Sequence, residues 1–395
     1  MGDVSGWVSP DLLDRVRDRL AGSSEPPTAA RLADAIRTES GGVLGDTDLL
    51  AALHLLDTEF TGAGPLDALL HDPGVSDVLV TSASHVWVDR GSGLQRASVT
   101  FADEAAVRRL AQRLALSAGR RLDDAQPWVD GRLPGVGAGS FGVRLHAVLA
   151  PVAQGGTCLS LRVLRPATQG LDALARAGAV APDALVLLRR MMAARLAFLV
   201  VGGTGAGKTT MLAALLGEVD HAERIICVED AAELAPNHPH VVRLVARAPN
   251  VEGVGEVTVR DLVRQALRMR PDRIVVGEVR GGEVVDLLTA MNTGHDGGAG
   301  TVHANSTDEV PARLEALAAL GGLDRAALHS QLAAAVQVVL HVHRHATGSR
   351  RLVQIAVVGR AADGLVTITP AWDGTENPPG VDRLEAMLRS REDLS

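Results

Sequence analysis

The pattern of hydrophobic and polar residues divides the chain into segments of different character. Before residue 61, apolar residues recur at helical spacing around a Ser/Pro-rich stretch, 22–28. From residue 62, short apolar runs typical of strands accompany an amphipathic helix predicted at 105–118. From residue 179 to about residue 369, strands alternate with helices, which is typical of a parallel sheet with crossover helices. The pattern predicts a helical N-terminal extension (1–61), an α/β domain (62–165), a linker (166–178) and a second α/β domain (179–395).

Individual strands are predicted from short apolar or alternating runs. In the first α/β domain these runs lie at 78–80, 85–88, 142–148 and 157–164, with a hairpin turn at Gly91-Ser92-Gly93. In the second domain they lie at 196–201, 225–228 and 273–276.

Composition and charge disfavour a nucleic-acid partner. The 395 residues carry a net charge of −8 with a pI of about 5.9, so the overall field repels polyanions. Aromatic residues make up 2% and tyrosine is absent, which leaves little for stacking against bases. The same charge disfavours anionic lipid surfaces. We expect no direct nucleic-acid binding and no lipid insertion.

The sequence also bears on localisation. No apolar run approaches the roughly 20 residues of a membrane-spanning helix, and residues 1–20 lack the apolar core of a secretory signal. Cys158 and Cys227 lie in apolar strands, as reduced core cysteines do. We expect a cytoplasmic protein that is at most peripheral to a membrane.

The chain contains a single lysine, which lies in a glycine-rich motif. Of the 39 basic residues, 38 are arginines and one is Lys208. Lys208 belongs to Gly202-Gly203-Thr204-Gly205-Ala206-Gly207-Lys208-Thr209, which has the G-x-x-x-x-G-K-T pattern of a phosphate-binding loop, the P-loop. An apolar strand precedes the motif and an apolar helix from Thr210 to Val219 follows it, as this motif requires.

Such a loop directs backbone N–H groups at phosphate, and the helix N-terminus adds partial positive charge. A compact ammonium can enter the ring of amides, whereas a planar guanidinium cannot, which explains why this one position is lysine. We predict Mg²⁺-dependent ATP binding, with the Thr209 hydroxyl as a Mg²⁺ ligand. The predicted nucleotide-binding residues are Gly203, Thr204, Gly205, Ala206, Gly207, Lys208, Thr209 and Thr210.

Hydrolysis requires carboxylates at the ends of neighbouring strands, and two are present. The apolar run 225–228 ends in Glu229-Asp230, with Glu233 further on, and the run 273–277 ends in Glu278. An isolated strand-end acid is commonly just solvated, but both of these follow a P-loop. We therefore predict that Glu229 and Glu278 are catalytic residues and Mg²⁺ ligands.

Histidines form the next signal. The glycine-dense segment 293–306 carries His295 and His303, and no third ligand lies at zinc-like spacing. We interpret this segment as a loop near the γ-phosphate, where an imidazole or Asn305 reports the presence of that phosphate. His341, His343 and His345 alternate along one strand or loop, which favours a solvated face over a metal site.

These blocks, in this order, resemble the secretion ATPases of the type II/type IV superfamily, most of all the tight-adherence pilus and conjugal-transfer branch. The resemblance covers about 62–371 and includes segments of the first α/β domain. It departs from the usual family pattern in the glycine-rich loop 134–141 and at 297–300. The matching segments are the P-loop, 229–230, 273–283, 295–306, 64–66, 72–78, 119–123, 144–147 and 159–162.

The resemblance implies a PAS-like N-terminal α/β domain and a RecA-like C-terminal domain in a hexameric ring. It also implies nucleotide between the two domains, with Arg144 and Arg162 as arginine fingers and His303 as a catalytic residue. The implied function is ATP hydrolysis that powers pilus assembly or secretion, with docking on a polytopic inner-membrane platform protein. Two alternatives stay open: a RecA-like nucleic-acid translocase and a low-turnover regulatory nucleotide-binding protein.

Overall fold

The computed structural model describes residues 12, 15–16, 19, 29–41, 45, 48–50, 52–53, 62–91, 93–133, 135–137, 142–250, 252–294 and 296–392. The Ser/Pro-rich stretch 22–28, Ser92, most of the loop 134–141 and His295 therefore lie outside the described residues. The chain divides into two compact units, Met1–Arg165 and Pro166–Ser395.

The first unit contains an antiparallel sheet. Its strands are β1 (Asp77–Ser82), β2 (His85–Asp89), β3 (Leu94–Arg96), β4 (Trp128–Leu133), β5 (Val143–Val148) and β6 (Cys158–Val163). They lie in the order β3-β2-β1-β6-β5-β4, and every neighbouring pair is antiparallel. Alternate residues of β5 are buried, as expected for a sheet with one covered face.

The α-helices of this unit with described bounds are α1 (Ala29–Glu39), α2 (Asp67–His71) and α3 (Glu104–Ser117), and a short 3-10 helix, Gly64–Leu66, precedes α2. The side chain of Asp103 begins α3 by accepting the N–H of Ala106 at 2.7 Å. The apolar stripe of α3 is buried in the core beneath the sheet. Residues of α1 form a separate small cluster with Leu12, Val16, Leu49 and Ala52.

The second unit contains eight strands and eight helices among its described residues. The helices are α4 (Leu171–Arg176), α5 (Pro182–Ala193), α6 (Lys208–Leu216), α7 (Val259–Ala266), α8 (Glu283–Asn292), α9 (Val310–Leu320), α10 (Arg325–Ala335) and α11 (Val381–Glu392). The strands are β7 (Phe198–Val201), β8 (Ile225–Glu229), β9 (Val241–Val245), β10 (Arg273–Val279), β11 (Ala299–Val302), β12 (Val338–Arg344), β13 (Arg350–Arg360) and β14 (Val366–Trp372).

The strand order is β14-β13-β12-β7-β11-β10-β8-β9, and the six strands from β12 to β9 are parallel. Helices cover both faces, so β7 is buried on each side. Phe198 and Val200 face the core that includes α4, α5, α6 and α11, while Leu199 and Val201 face the core of α7 to α10. This explains why β7 is continuously apolar, and it confirms the predicted α/β fold class.

The predicted alternation of strands and helices is wrong after β12. β12, β13 and β14 form an antiparallel meander. The connection 345–349 is closed by a hydrogen bond from the N–H of His345 to the carbonyl of Ser349 at 2.8 Å, which leaves no room for a crossover helix. The segment 166–178 carries α4, whose Leu171 and Leu174 are buried in the second unit.

Two smaller findings complete the fold. No helix within the described ranges is long and apolar enough to cross a membrane. Both cysteines are free; Cys227 is buried in β8, whereas Cys158 is only partly buried in β6.

Candidate nucleotide site

The P-loop connects β7, in the middle of the parallel strands, to the N-terminus of α6. Gly207 immediately precedes α6 with a φ of 96°, a conformation that favours glycine. Gly202 has a φ of 155°, and a Cβ there would lie 2.2 Å from the carbonyl oxygen of Val342. The predicted binding residues 203–210 thus form a tight loop followed by the first turn of α6. Its helix N-terminus is suited to an anion.

Lys208 is 8% exposed and lies against the loop itself. Its Nζ donates to the carbonyls of Gly202 at 3.1 Å and Gly203 at 3.2 Å. Burial lowers the pKa of Lys208, the Arg280 charge adds to this, and Glu278 opposes it. The ammonium is therefore held in the loop by carbonyl oxygens that phosphate oxygens can replace.

His303 follows β11 and lies between Lys208 and Glu278. Its Nδ1 is 3.4 Å from Lys208 Nζ, and its Nε2 is 2.6 Å from Glu278 Oε1. Burial lowers the pKa of His303, followed by the Lys208 charge. A neutral ring that accepts at Nδ1 and donates from Nε2 satisfies both contacts. His303 thus joins the P-loop lysine to the acid on β10.

Glu278 is held on its other side by Arg280. Arg280 pairs with Glu278, and its Nη1 pairs with Asp230 Oδ2 at 2.6 Å. The backbone N–H of Arg280 donates to Glu283. Arg280 therefore bridges the ends of β10 and β8. The sequence predicted no role for it, because an arginine two residues after a strand-end acid has no distinctive spacing of its own.

Glu229 is 3% exposed at the end of β8. Its Oε1 accepts the N–H groups of Glu233 and Leu234, both at 2.9 Å, while Oε2 has no hydrogen-bond partner among the described residues. Burial raises the pKa of Glu229 to about 7. Gly277 makes room for this side chain, since a Cβ at 277 would lie 2.7 Å from Glu229 Cγ.

The oxygen atoms of Thr209, Glu229 and Glu233 are suitable ligands for a Mg²⁺ ion. Thr209 and Glu233 meet where the Thr209 hydroxyl donates to Glu233 Oε2 at 3.4 Å, and the same small cavity is lined by Glu229 and Glu278. Oxygen donors suit Mg²⁺, and the unpartnered oxygen of Glu229 is an available ligand atom. No three His, Cys, Asp or Glu side chains in the described ranges converge on one point, which is compatible with an ion that keeps waters and phosphate oxygens as ligands. Sequence reasoning gave Glu233 no role.

A cleft of about 380 Å³ opens on the other side of the P-loop. Gly202, Gly203 and His303 form one wall, and residues at the start of α9 form the other. Asn305 lies in this cleft, where its backbone N–H and side-chain Nδ2 donate to Glu309 at 2.9 and 3.1 Å.

Arg144 and Arg162 lie in the first unit as direct partners on adjacent strands β5 and β6. Arg144 pairs with Asp130 at 2.7 Å, and Arg162 pairs with Asp77 at 2.8 Å. The structure thus places both predicted fingers on one sheet with carboxylate partners.

The three alternating histidines lie on and just after β12. Their rings contact one another edge to face, with centroids 6.2 Å apart for His341 and His343 and 5.1 Å apart for His343 and His345. Among the described residues, these histidines do not form a metal-binding group with one another or with an Asp, Glu or Cys side chain.

The geometry agrees with comparisons to known proteins. Residues 59–363 match the family model described as type II/IV secretion system protein, so the chain belongs to this family. It is 69% identical over 350 residues to a putative conjugal transfer protein of Mycobacterium tuberculosis, covering 88% of this chain and 99% of the relative. It is 30% identical over 313 residues to the type IV secretion system protein VirB11 of Brucella suis biovar 1, covering 71% and 84%. The predicted family resemblance is confirmed.

The fold has a counterpart among solved structures. The X-ray structure of the Yersinia pseudotuberculosis ATPase DotB matches with a TM-score of 0.50 and 18% identity, over 77% of this chain and 76% of that chain. At this identity the likeness supports the fold alone, and it agrees with a RecA-like second unit.

Proposed function

We propose that the protein is a Mg²⁺-dependent ATPase that drives secretion, conjugal transfer or pilus assembly as a ring-shaped motor. The observation that carries the proposal is the line of contacts from Lys208 through His303 and Glu278 to Arg280 and Asp230. This line runs along the carboxyl ends of the parallel strands, the edge at which α/β proteins bind ligands.

The P-loop residues bind and orient the triphosphate. Lys208 exchanges its contacts with the Gly202 and Gly203 carbonyls for β- and γ-phosphate oxygens, and the amides of 203–210 bind the rest of the phosphate chain. When Lys208 moves, His303 loses one of its two partners. His303 therefore couples the presence of the γ-phosphate to the position of Glu278.

Glu278 positions the attacking water. Its oxygens are held by His303 and Arg280, so the carboxylate has a defined orientation at the end of β10. The water attacks the γ-phosphorus, the bond from that phosphorus to the β–γ bridging oxygen breaks, and ADP and phosphate result. Thr209 and Glu229 would hold Mg²⁺, as the sequence predicts. We propose Glu233 as a further ligand in place of Glu278, because Glu233 contacts Thr209 while the oxygens of Glu278 contact His303 and Arg280. When bound, the ion would neutralise charge on the phosphate oxygens.

Arg144 and Arg162 act as arginine fingers from the first unit. Arg162 is exposed, Arg144 is half-buried, and each pairs with a carboxylate; ion pairs open to solvent contribute only about 0–1 kcal/mol. The free-energy cost is therefore small when Arg144 leaves Asp130, or Arg162 leaves Asp77, to contact a phosphate oxygen.

The working form is a homohexamer docked on a polytopic inner-membrane platform protein. In a closed ring of six subunits, every subunit interface is occupied, and a nucleotide-driven rearrangement in each subunit can be converted into motion. The net charge of −8 disfavours direct binding to lipid or nucleic acid, so docking uses a protein loop. Residues 1–61 lie almost entirely outside the family match, and we propose them as the adaptor.

Phosphate release measured with and without Mg²⁺, and with and without DNA, tests the activity. We expect Mg²⁺-dependent turnover that DNA does not stimulate; strong DNA stimulation would instead support a nucleic-acid translocase. Light scattering with a non-hydrolysable Mg-ATP analogue tests the ring. A strictly monomeric protein with full turnover contradicts the ring, and co-purification with the platform protein, with and without residues 1–61, tests the adaptor.

A further inference from the structure

The hairpin formed by β12 and β13 extends past the end of β7 and lies against the P-loop. β12 pairs in parallel with β7, with His341 opposite Val201, so the next residues of β12 accompany the start of the loop. Arg344 and Arg350 are register partners at the turn end of this hairpin. Two arginines distant in sequence from the P-loop are thereby placed beside it.

Arg350 makes a direct contact with the loop. Its Nε donates to the carbonyl of Gly205 at 2.9 Å, and its Cδ is 3.3 Å from the position of a Cβ on Gly207. Arg344 approaches the same place, since its Nη1 is 3.4 Å from the position of a Cβ on Gly205. The absence of side chains at 205 and 207 is what allows this approach.

The contact has a consequence for the next amide. In a trans peptide, the carbonyl of one residue and the N–H of the next point in opposite directions. When Arg350 holds the Gly205 carbonyl, the N–H of Ala206 points away from Arg350 and donates to the carbonyl of Gly203, with 3.3 Å between nitrogen and oxygen. Gly205 has a φ of 69°, so glycine freedom at this residue would otherwise permit the peptide to turn over.

We propose that Arg350 is a positioning residue for nucleotide binding, which fixes the 205–206 peptide so that the Ala206 N–H faces the phosphate chain. The inference rests on the proposed ATP binding. It assigns to Arg350 a geometric role that depends on the nitrogen attached to Cδ, not on the positive charge.

Substitutions at position 350 can separate the role of the hydrogen-bond donor from the role of the positive charge. Glutamine carries its amide nitrogen on Cδ, where arginine carries Nε, so Arg350→Gln keeps a donor at the contacting position and removes the charge. Lysine keeps the charge but has a carbon at that position. Arg351→Ala is the matched control, because successive strand residues point to opposite faces and Arg351 is the next residue of β13.

The experiment measures the dissociation constants of ADP and ATP and the steady-state KM and kcat of the full chain. We expect Arg350→Ala and Arg350→Lys to weaken nucleotide binding and raise KM by about tenfold, as for the loss of one positioning hydrogen bond. Their kcat at saturating ATP should stay within about twofold. Arg350→Gln should recover most of the affinity, and Arg351→Ala should match the wild type.

Wild-type affinity in Arg350→Lys combined with weak binding in Arg350→Gln would overturn the inference, since charge alone would then explain the effect. Unchanged affinity in Arg350→Ala would overturn it as well. Lys208→Ala keeps this test separate from the proposed function. If Lys208→Ala binds ATP normally, the proposed ATP site is wrong. If Lys208→Ala loses ATP binding while the Arg350 variants keep it, only the role of Arg350 is wrong.

Discussion

The two units hold the cations that we propose to bind phosphate in different ways. Lys208 of the second unit is 8% exposed, and its ammonium contacts two loop carbonyls and the His303 ring. The side chains of Arg144 and Arg162 in the first unit are 38% and 57% exposed, and each pairs with a carboxylate. Buried charges are costly to rearrange, whereas exposed pairs exchange partners cheaply. The lysine site is thus organised in advance, and the arginines can change partners when nucleotide arrives.

Replacing the buried cation gives the largest expected effect. Lys208→Ala should reduce ATP turnover by about 10³-fold or more while leaving the thermal unfolding midpoint nearly unchanged, because the ammonium acts on phosphate oxygens. Lys208→Arg should fail nearly as badly, since a guanidinium cannot occupy the space between the Gly202 and Gly203 carbonyls. Phosphate release and thermal unfolding measure both effects. Substantial turnover by the arginine variant would show that the loop does not discriminate between the two cations.

The Glu278 prediction separates chemistry from binding. Glu278→Gln should lower kcat by roughly 10²-fold and leave ATP affinity within a fewfold of the wild type, because the water-positioning carboxylate is lost and the P-loop is intact. Equilibrium binding and single-turnover hydrolysis measure the two quantities. If ATP binding disappears together with turnover, Glu278 is needed for the structure of the site.

The exposed arginines should give a smaller loss. Arg144→Ala or Arg162→Ala should lower kcat by about tenfold, because each variant loses one of the two arginines that we propose to contact phosphate, and change the free energy of unfolding by no more than about 1 kcal/mol. A fragment of the second unit starting at residue 166 retains α4, the P-loop and both acids, so it should bind ATP and hydrolyse it poorly. Full activity of that fragment would mean that the first unit takes no part in the chemistry.

The buried acid Glu229 is tested through the pH dependence of stability. Burial raises the pKa of Glu229 from its ordinary value of 4.5 to about 7, so the folded state binds a proton that the unfolded state releases. Between these values, without Mg²⁺, the free energy of unfolding should therefore fall as pH rises. Denaturant unfolding in EDTA at several pH values should show this decline in the wild type and a weaker one in Glu229→Gln. Equal declines in both proteins would remove Glu229 as the cause.

Much of the fold follows from local patterns. The strands at 225–228 and 273–276 and the helix at 105–118 were predicted because their apolar spacing is a property of a few consecutive residues. The final antiparallel strands were not predicted, because runs such as 338–344 look the same whether the next strand returns by a hairpin or by a crossover helix.

The sequence by itself determined the P-loop and the acids that follow apolar strands. The glycine conformations and the unique Lys208 are local requirements of a phosphate-binding turn, and they are visible in consecutive residues. The tertiary structure decided which of these groups are neighbours. The strand order β7-β11-β10-β8 places Lys208, His303, Glu278 and Glu229 at or after the ends of successive strands, and the hairpin of β12 and β13 brings Arg350 to Gly205. Burial of Glu229 and the bridge made by Arg280 also depend on packing between segments separated by tens of residues, which no local pattern contains.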